Sequence, residues 1–137
     1  MGHSLTDFRI PMVRVLIVDD SLLLRERLSC RLGSIEGIEI AGKACDVAGG
    51  IEMFRRTSPD VVVLDLLMPG GSGIDVLEAI KRERPSTVVV ILTNHPLPQL
   101  RKRSEESGAE FFFDKTQEFG KVADVLRTEV KKRQTHT

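Results

Sequence analysis

Residues 61–73 read VVVLDLLMPGGSG. Four aliphatic residues in a row, Val61 to Leu64, run into a carboxylate, Asp65, and then into turn formers. A strand with one wet face alternates apolar and polar residues. An unbroken apolar run is covered on both faces, as in a parallel sheet flanked by helices. The same reading applies to TVVVILT at 87–93, which ends on Thr93. It applies again to VLIVDDS at 15–21, where the strand over 13–18 stops at two adjacent carboxylates, Asp19 and Asp20.

Between these runs the pattern changes to helical spacing. Ser21 can cap a helix whose Leu24, Leu28 and Leu32 share one face and which Gly33 ends. A second strand is expected over 38–44, then a helix over 46–57 weakened by Gly49 and Gly50. LLMPGGSG reads as a flexible loop, and Ile74, Leu77 and Ile80 mark a third helix. A short polar helix is expected over 98–107, a fifth strand in EFFFDK, and a last helix from Phe119, Val122, Leu126 and Val130. Five strands alternating with five helices predict an α/β, doubly wound parallel sheet with right-handed crossovers.

At 137 residues, 41% of them apolar, the chain suits one domain, expected over 13–131 between tails at 1–12 and 132–137. Lys plus Arg and Asp plus Glu both total 20, which gives no global pull toward nucleic acid or a membrane surface. No apolar run approaches the ~20 residues of a membrane helix. The N-terminal MGHSLTDFRIPM lacks the apolar core of a signal peptide. Cys30 and Cys45 fit no metal or redox spacing and read as reduced thiols of a cytoplasmic protein. The basic runs LRKR and KKR read as solvated helix faces. Gly70, Gly71 and Gly73 precede no G-K-[ST], so they suggest a loop rather than a phosphate cradle.

Open α/β sheets bind ligands outside the carboxyl ends of their strands. Asp19, Asp20, Asp65, Thr93 and Lys115 all stand at such ends. Three carboxylates in one crevice repel and raise one another's pKa values. A hard divalent cation removes that cost. An oxygen-only donor set with open positions suits Mg²⁺ and a phosphate partner. The histidines are scattered, and of His3, His95 and His136 only His95 lies near the rim, two residues after Thr93.

VLIVDDS, VVVLDLLMPGGSG, ILT and FFFDK, in this order at strand ends, resemble the receiver domain of bacterial two-component response regulators. The resemblance implies a five-stranded sheet of flavodoxin-like order 2-1-3-4-5. It makes Asp65 the phosphoryl acceptor. It makes Asp20, Asp65 and the backbone carbonyl of Leu67 the Mg²⁺ ligands, and Asp19 an outer acid holding a metal-bound water. Lys115 becomes the ion-pair partner of the phosphoryl oxygens, Thr93 the switch hydroxyl and Phe112 the switch aromatic. Alternation puts Phe112 on the face opposite Phe111 and Phe113, which read as core, and the resemblance implies a half-exposed switch position for Phe112. Asp114, on the Phe112 face, reads as a solvated acid.

This chain departs from the family pattern at three places. Thr116 stands where many receivers have a proline after a cis bond. Asn94 replaces the usual small residue after Thr93, and Leu67 stands where a longer or more polar side chain is common. Asn94 and Leu67 flank the phosphoryl position and are expected to tune its lifetime.

The resemblance implies a sensor histidine kinase or histidine phosphotransfer protein as donor, and a downstream protein or a second copy as partner through the 97–131 face. One rival reading is a Mg²⁺-dependent phosphohydrolase with an aspartate nucleophile. It needs D-x-D, and the chain has Asp65-Leu66-Leu67. The other is a flavin module, for which DDSLLL is a poor anion loop. After Val130 only KKRQTHT remains, too short for an effector. The output is therefore either protein contact and phosphoryl relay, or an effector carried elsewhere.

Overall fold

The computed structural model describes residues 12–134. Its strands are β1 (Val13–Val18), β2 (Ile38–Ala44), β3 (Val61–Leu64), β4 (Val88–Thr93) and β5 (Phe111–Asp114). The helices are α1 (Leu22–Gly33), α2 (Val47–Thr57), α3 (Gly73–Glu83), α4 (Pro98–Glu106) and α5 (Lys121–Gln134). The five strands are parallel and lie in the order β2-β1-β3-β4-β5. The expected order and class therefore stand.

Alternation within each strand divides the core in two. Leu16, Val18, Val62, Leu64, Val89, Ile91 and Phe112 face α2, α3 and α4. Val13, Val15, Ile17, Val61, Val63, Val90 and Leu92 face α1 and α5. Both faces are apolar because both are covered, which is why the strands show no polar period. The chain direction reverses its march across the sheet between β1 and β3. That switch point is where such folds open a ligand crevice.

Several local expectations need correction. The loop after β3 is shaped rather than loose: Leu67 and Met68 pair antiparallel with Ser72 and Gly71 in a two-residue ladder. Gly50 does not merely weaken α2. A Cβ there would lie 3.0 Å from Val18 Cγ1, so its absence lets the helix seat on the sheet. The C-terminal tail begins later than 132, because α5 continues through Gln134. The KKR run is not a free face, since Lys132 and Arg133 pair with the buried Glu129 at 3.3 and 3.9 Å. His3, His136 and the N-terminal tail through residue 11 lie outside the described residues.

Phe112 is also corrected. It is only 4% exposed, buried among the α2–α4 core residues. The alternation holds, but α4 covers that face: Leu100 packs there, and the Arg101 guanidinium lies 4.7 Å from the Phe112 ring centroid. Arg101, part of LRKR, is thus no simple solvated cation. Phe111 is the exposed one, and it stacks on the half-buried Phe113 with ring centroids 5.9 Å apart.

The polar helix α4 is held by little. Leu97 at its N-cap supplies no side-chain hydrogen bond, and Ser104 is its one fully buried residue. The Ser104 hydroxyl donates to Leu100 O of its own helix at 2.8 Å rather than across to the sheet. A cation–π contact contributes ~0.5–2 kcal/mol, whereas the two buried leucines of α1, Leu28 and Leu32, each contribute ~1.5–3 kcal/mol. Amides of residues 99–107 should therefore exchange at least about tenfold faster than those of 24–32. Equal protection in hydrogen exchange would contradict this.

Candidate functional site

The sheet register brings the strand ends together. Val18 pairs with Leu64, which sets Asp19 beside Asp65, and Thr93 pairs with Asp114, which sets Lys115 one step beyond. Backbone bonds extend the ladders into the site. Asp19 N donates to Ala44 O at 3.0 Å, Asp65 N to Val18 O at 2.9 Å, and Lys115 N to Thr93 O at 2.9 Å.

Four of the five strand ends then close on their own chain. Asp19 Oδ1 accepts from Ser21 N at 2.9 Å, Asp65 Oδ1 from Leu67 N at 3.4 Å, Thr93 Oγ1 from His95 N at 3.1 Å, and Asp114 Oδ1 from Thr116 N at 2.8 Å. Four short polar side chains each bond the residue two ahead, the local turn that Asp and Thr favour. This repeated device escaped the sequence reading, though a polar residue at the ends of β1, β3, β4 and β5 was its signal. It gives Asp114 a part in shaping the Lys115 loop, where a free surface acid was expected. His95 joins through its backbone alone, its residue exposed. No cis peptide occurs among the described residues, so the Lys115–Thr116 bond is trans.

The side chains converge on one ammonium. Lys115 Nζ forms an ion pair with Asp19 Oδ2 at 2.6 Å and donates to Asp65 Oδ2 at 3.2 Å. Asp19, Asp65 and Thr93 are buried, and Asp20 is exposed. Oxygen atoms of Asp19, Asp20 and Asp65 all lie within 4.8 Å of one another. Burial pushes the Asp65 carboxyl above its ordinary pKa; Lys115 opposes this and Asp19 adds to it.

One ammonium faces three carboxylates, so the cluster is short of positive charge. The donor set is all oxygen, with one exposed and two buried carboxylates, and this suits a hard cation such as Mg²⁺. Both Asp19 oxygens are already engaged, by Lys115 and by Ser21 N. Asp20 has no ion-pair or hydrogen-bond partner among the described residues, which leaves it freest to ligate. The Arg25 guanidinium, not singled out from the sequence, donates to Asp19 O at 2.7 Å and braces the turn that carries both acids.

The position two residues after Asp65 is Leu67, 46% exposed, so no second carboxylate stands where a D-x-D hydrolase needs one. Asn94 lines a cleft together with Lys115. Among the described residues, no helix is long and apolar enough to cross a membrane.

The response regulator receiver domain model matches residues 15–127. The transcriptional regulatory protein LiaR of Bacillus subtilis is 33% identical over 116 residues, which is 85% of this chain and 55% of that protein. A protein-glutamate methylesterase/protein-glutamine glutaminase of Anaeromyxobacter dehalogenans is 45% identical over 78 residues, 57% of this chain and 22% of that protein. The chain thus spans about half or less of the length of these relatives. Among solved structures, the receiver domain of NarL from Mycobacterium tuberculosis superposes with a TM-score of 0.80 at 28% identity, covering 88% of this chain and 98% of that one. The response regulator domain of Thermotoga maritima CheB gives 0.77 at 26% identity, covering 90% and 97%. The matched span covers most of the chain, and the chain belongs to the response regulator receiver domain family.

Proposed function

We propose that this chain accepts a phosphoryl group on Asp65 from a sensor histidine kinase or a histidine phosphotransfer protein and reports it by changing its surface. The observation that carries this reading is Lys115 Nζ bridging Asp19 and Asp65 at the sheet's switch point, with Asp20 free beside them. An Asp65 oxygen attacks phosphorus, the bond from phosphorus to the donor nitrogen breaks, and its electron pair leaves on the imidazole. Asp20, Asp65 and the Leu67 carbonyl would hold Mg²⁺, which supplies charge neutralisation for the phosphoryl oxygens; Asp19 acts from outside that set.

The surface change follows from what the new oxygens attract. The Lys115 ammonium transfers one of its contacts from carboxylate to phosphoryl oxygen. The Thr93 hydroxyl, which now accepts from His95 N and makes no bond to Asp65, turns toward the same oxygens. Thr93 is fully buried, so its movement leaves a gap on the face where Phe112 lies under α4. The weakly held α4, β5 and α5 then rearrange, and the 97–131 face is the contact for a downstream protein or a second copy. Phe112 serves as the switch aromatic by leaving its place under Arg101.

Lys115→Ala separates transfer from response. Phosphorylation of Asp65 by phosphoramidate with Mg²⁺ should persist at a reduced rate. The NMR shift changes that it causes at residues 93–112 in the unaltered protein should be lost. A normal shift response in Lys115→Ala would overturn the assigned role.

A further inference from the structure

A cleft of about 410 Å³ opens beside the phosphoryl site, bordered by Ser21, Leu23, Arg27, Asn94, Lys115 and Phe119. Lys115 ties it to Asp65, 3.2 Å away. The Arg27 guanidinium lies 5.1 Å from the Phe119 ring centroid, and Arg31 lies 5.7 Å from the same ring. Neither arginine has a carboxylate partner among the described residues. Stacking engages the flat face of a guanidinium and leaves its in-plane N–H donors available in a fixed direction. Leu23, 70% exposed, adds an apolar wall. The cleft therefore joins a cation without a carboxylate partner to apolar surface and to Lys115, the ion-pair partner of Asp65.

We propose that this cleft is a subsite for the organic half of acyl phosphates, with Arg27 receiving the departing carboxylate. The inference rests on Asp65 being the phosphoryl acceptor. In the step, an Asp65 carboxylate oxygen bonds to phosphorus. The bond from phosphorus to the acyl oxygen breaks, and its electron pair leaves on the acyl group as a carboxylate. Negative charge grows on that oxygen in the transition state, and Arg27 stabilises it there. With phosphoramidate the phosphorus–nitrogen bond breaks instead. The nitrogen, already protonated in the zwitterion present at neutral pH, keeps the electron pair and leaves as ammonia, which offers Arg27 no anion. Arg27 thus selects the class of small donor without taking part in the attack.

The test compares Arg27→Gln with the unaltered chain using acetyl phosphate and phosphoramidate, each with Mg²⁺. Arg27 is exposed, so the substitution leaves the fold intact. An exposed charge contact is modest, and the second-order rate constant with acetyl phosphate should fall about fivefold. That with phosphoramidate should stay unchanged, so the ratio of the two moves by the same factor. An unchanged ratio, whether both rates hold or both fall together, would overturn the subsite. Absence of label at Asp65 of the unaltered chain from either donor would instead overturn the acceptor assignment, and the subsite with it.

Discussion

Asp65→Asn is expected to abolish phosphorylation and, at neutral pH, to make the protein more stable. The first effect follows from chemistry: an amide oxygen is a far weaker nucleophile than a carboxylate, and no other side chain replaces it at the switch point. The second follows from burial. The folded state holds the Asp65 carboxyl above its ordinary pKa, chiefly because it is desolvated and secondarily because Asp19 is near. Between the ordinary pKa and the raised one, the folded chain binds more protons than the unfolded chain. Stability falls as pH rises through that window, and the loss is complete above it. Asn carries no such loss, and Lys115 keeps its 2.6 Å partner in Asp19. Thermal melts should therefore show Asp65→Asn above the unaltered protein at pH 7, with the gap closing as pH falls below the ordinary carboxyl range. Mg²⁺ should raise the melting temperature of the unaltered protein more than that of the variant. A variant that is less stable at pH 7 would contradict the strained, metal-hungry cluster.

Gly73→Ala should be the most damaging substitution of a residue that does no chemistry. A Cβ at position 73 would lie 2.1 Å from the Asp65 carbonyl oxygen and 2.8 Å from Leu66 Cα. Both are backbone atoms, so no rotamer change relieves the clash. The close approach is held by Gly73 N donating to Leu66 O at 2.7 Å. One methyl group must therefore push the start of α3 away from the segment that carries Asp65. The cost should be about 3 kcal/mol, in the upper range of overpacking, and the displaced Asp65 should lose most of its reactivity. Urea unfolding together with Asp65 labelling checks both. Wild-type stability in Gly73→Ala would show that the α3 start is not pinned as described.

These residues also show which parts of the molecule were legible in advance. The strands could be read because burial on both faces writes itself into the sequence as VVVL and VVVIL. The site residues could be placed because each ends a strand and the fold gathers strand ends. Phe112 could not be read in full: alternation gives its side of the sheet, but whether α4 covers that side depends on where Leu100 and Arg101 dock. The LLMPGG segment looked loose for the same kind of reason. Its ladder and the Gly73 approach are contacts made across a turn, and turn composition alone does not reveal them. Arg25 was invisible because a long cation on an amphipathic helix normally points to water, and only the docking of α1 aims it at Asp19 O. The unpaired guanidiniums over Phe119 likewise needed the placing of α1 against the segment between β5 and α5 to be seen.

The central claim is that Asp65, alone among the three clustered carboxylates, takes the phosphoryl group. The direct measurement is to treat the chain with acetyl phosphate and Mg²⁺, reduce the acyl phosphate with borohydride, and locate the homoserine so formed by peptide mass spectrometry. The account predicts conversion at residue 65 only, and none when Mg²⁺ is withheld. Conversion at residue 19 or 20, or at residue 65 to the same extent without Mg²⁺, would contradict it.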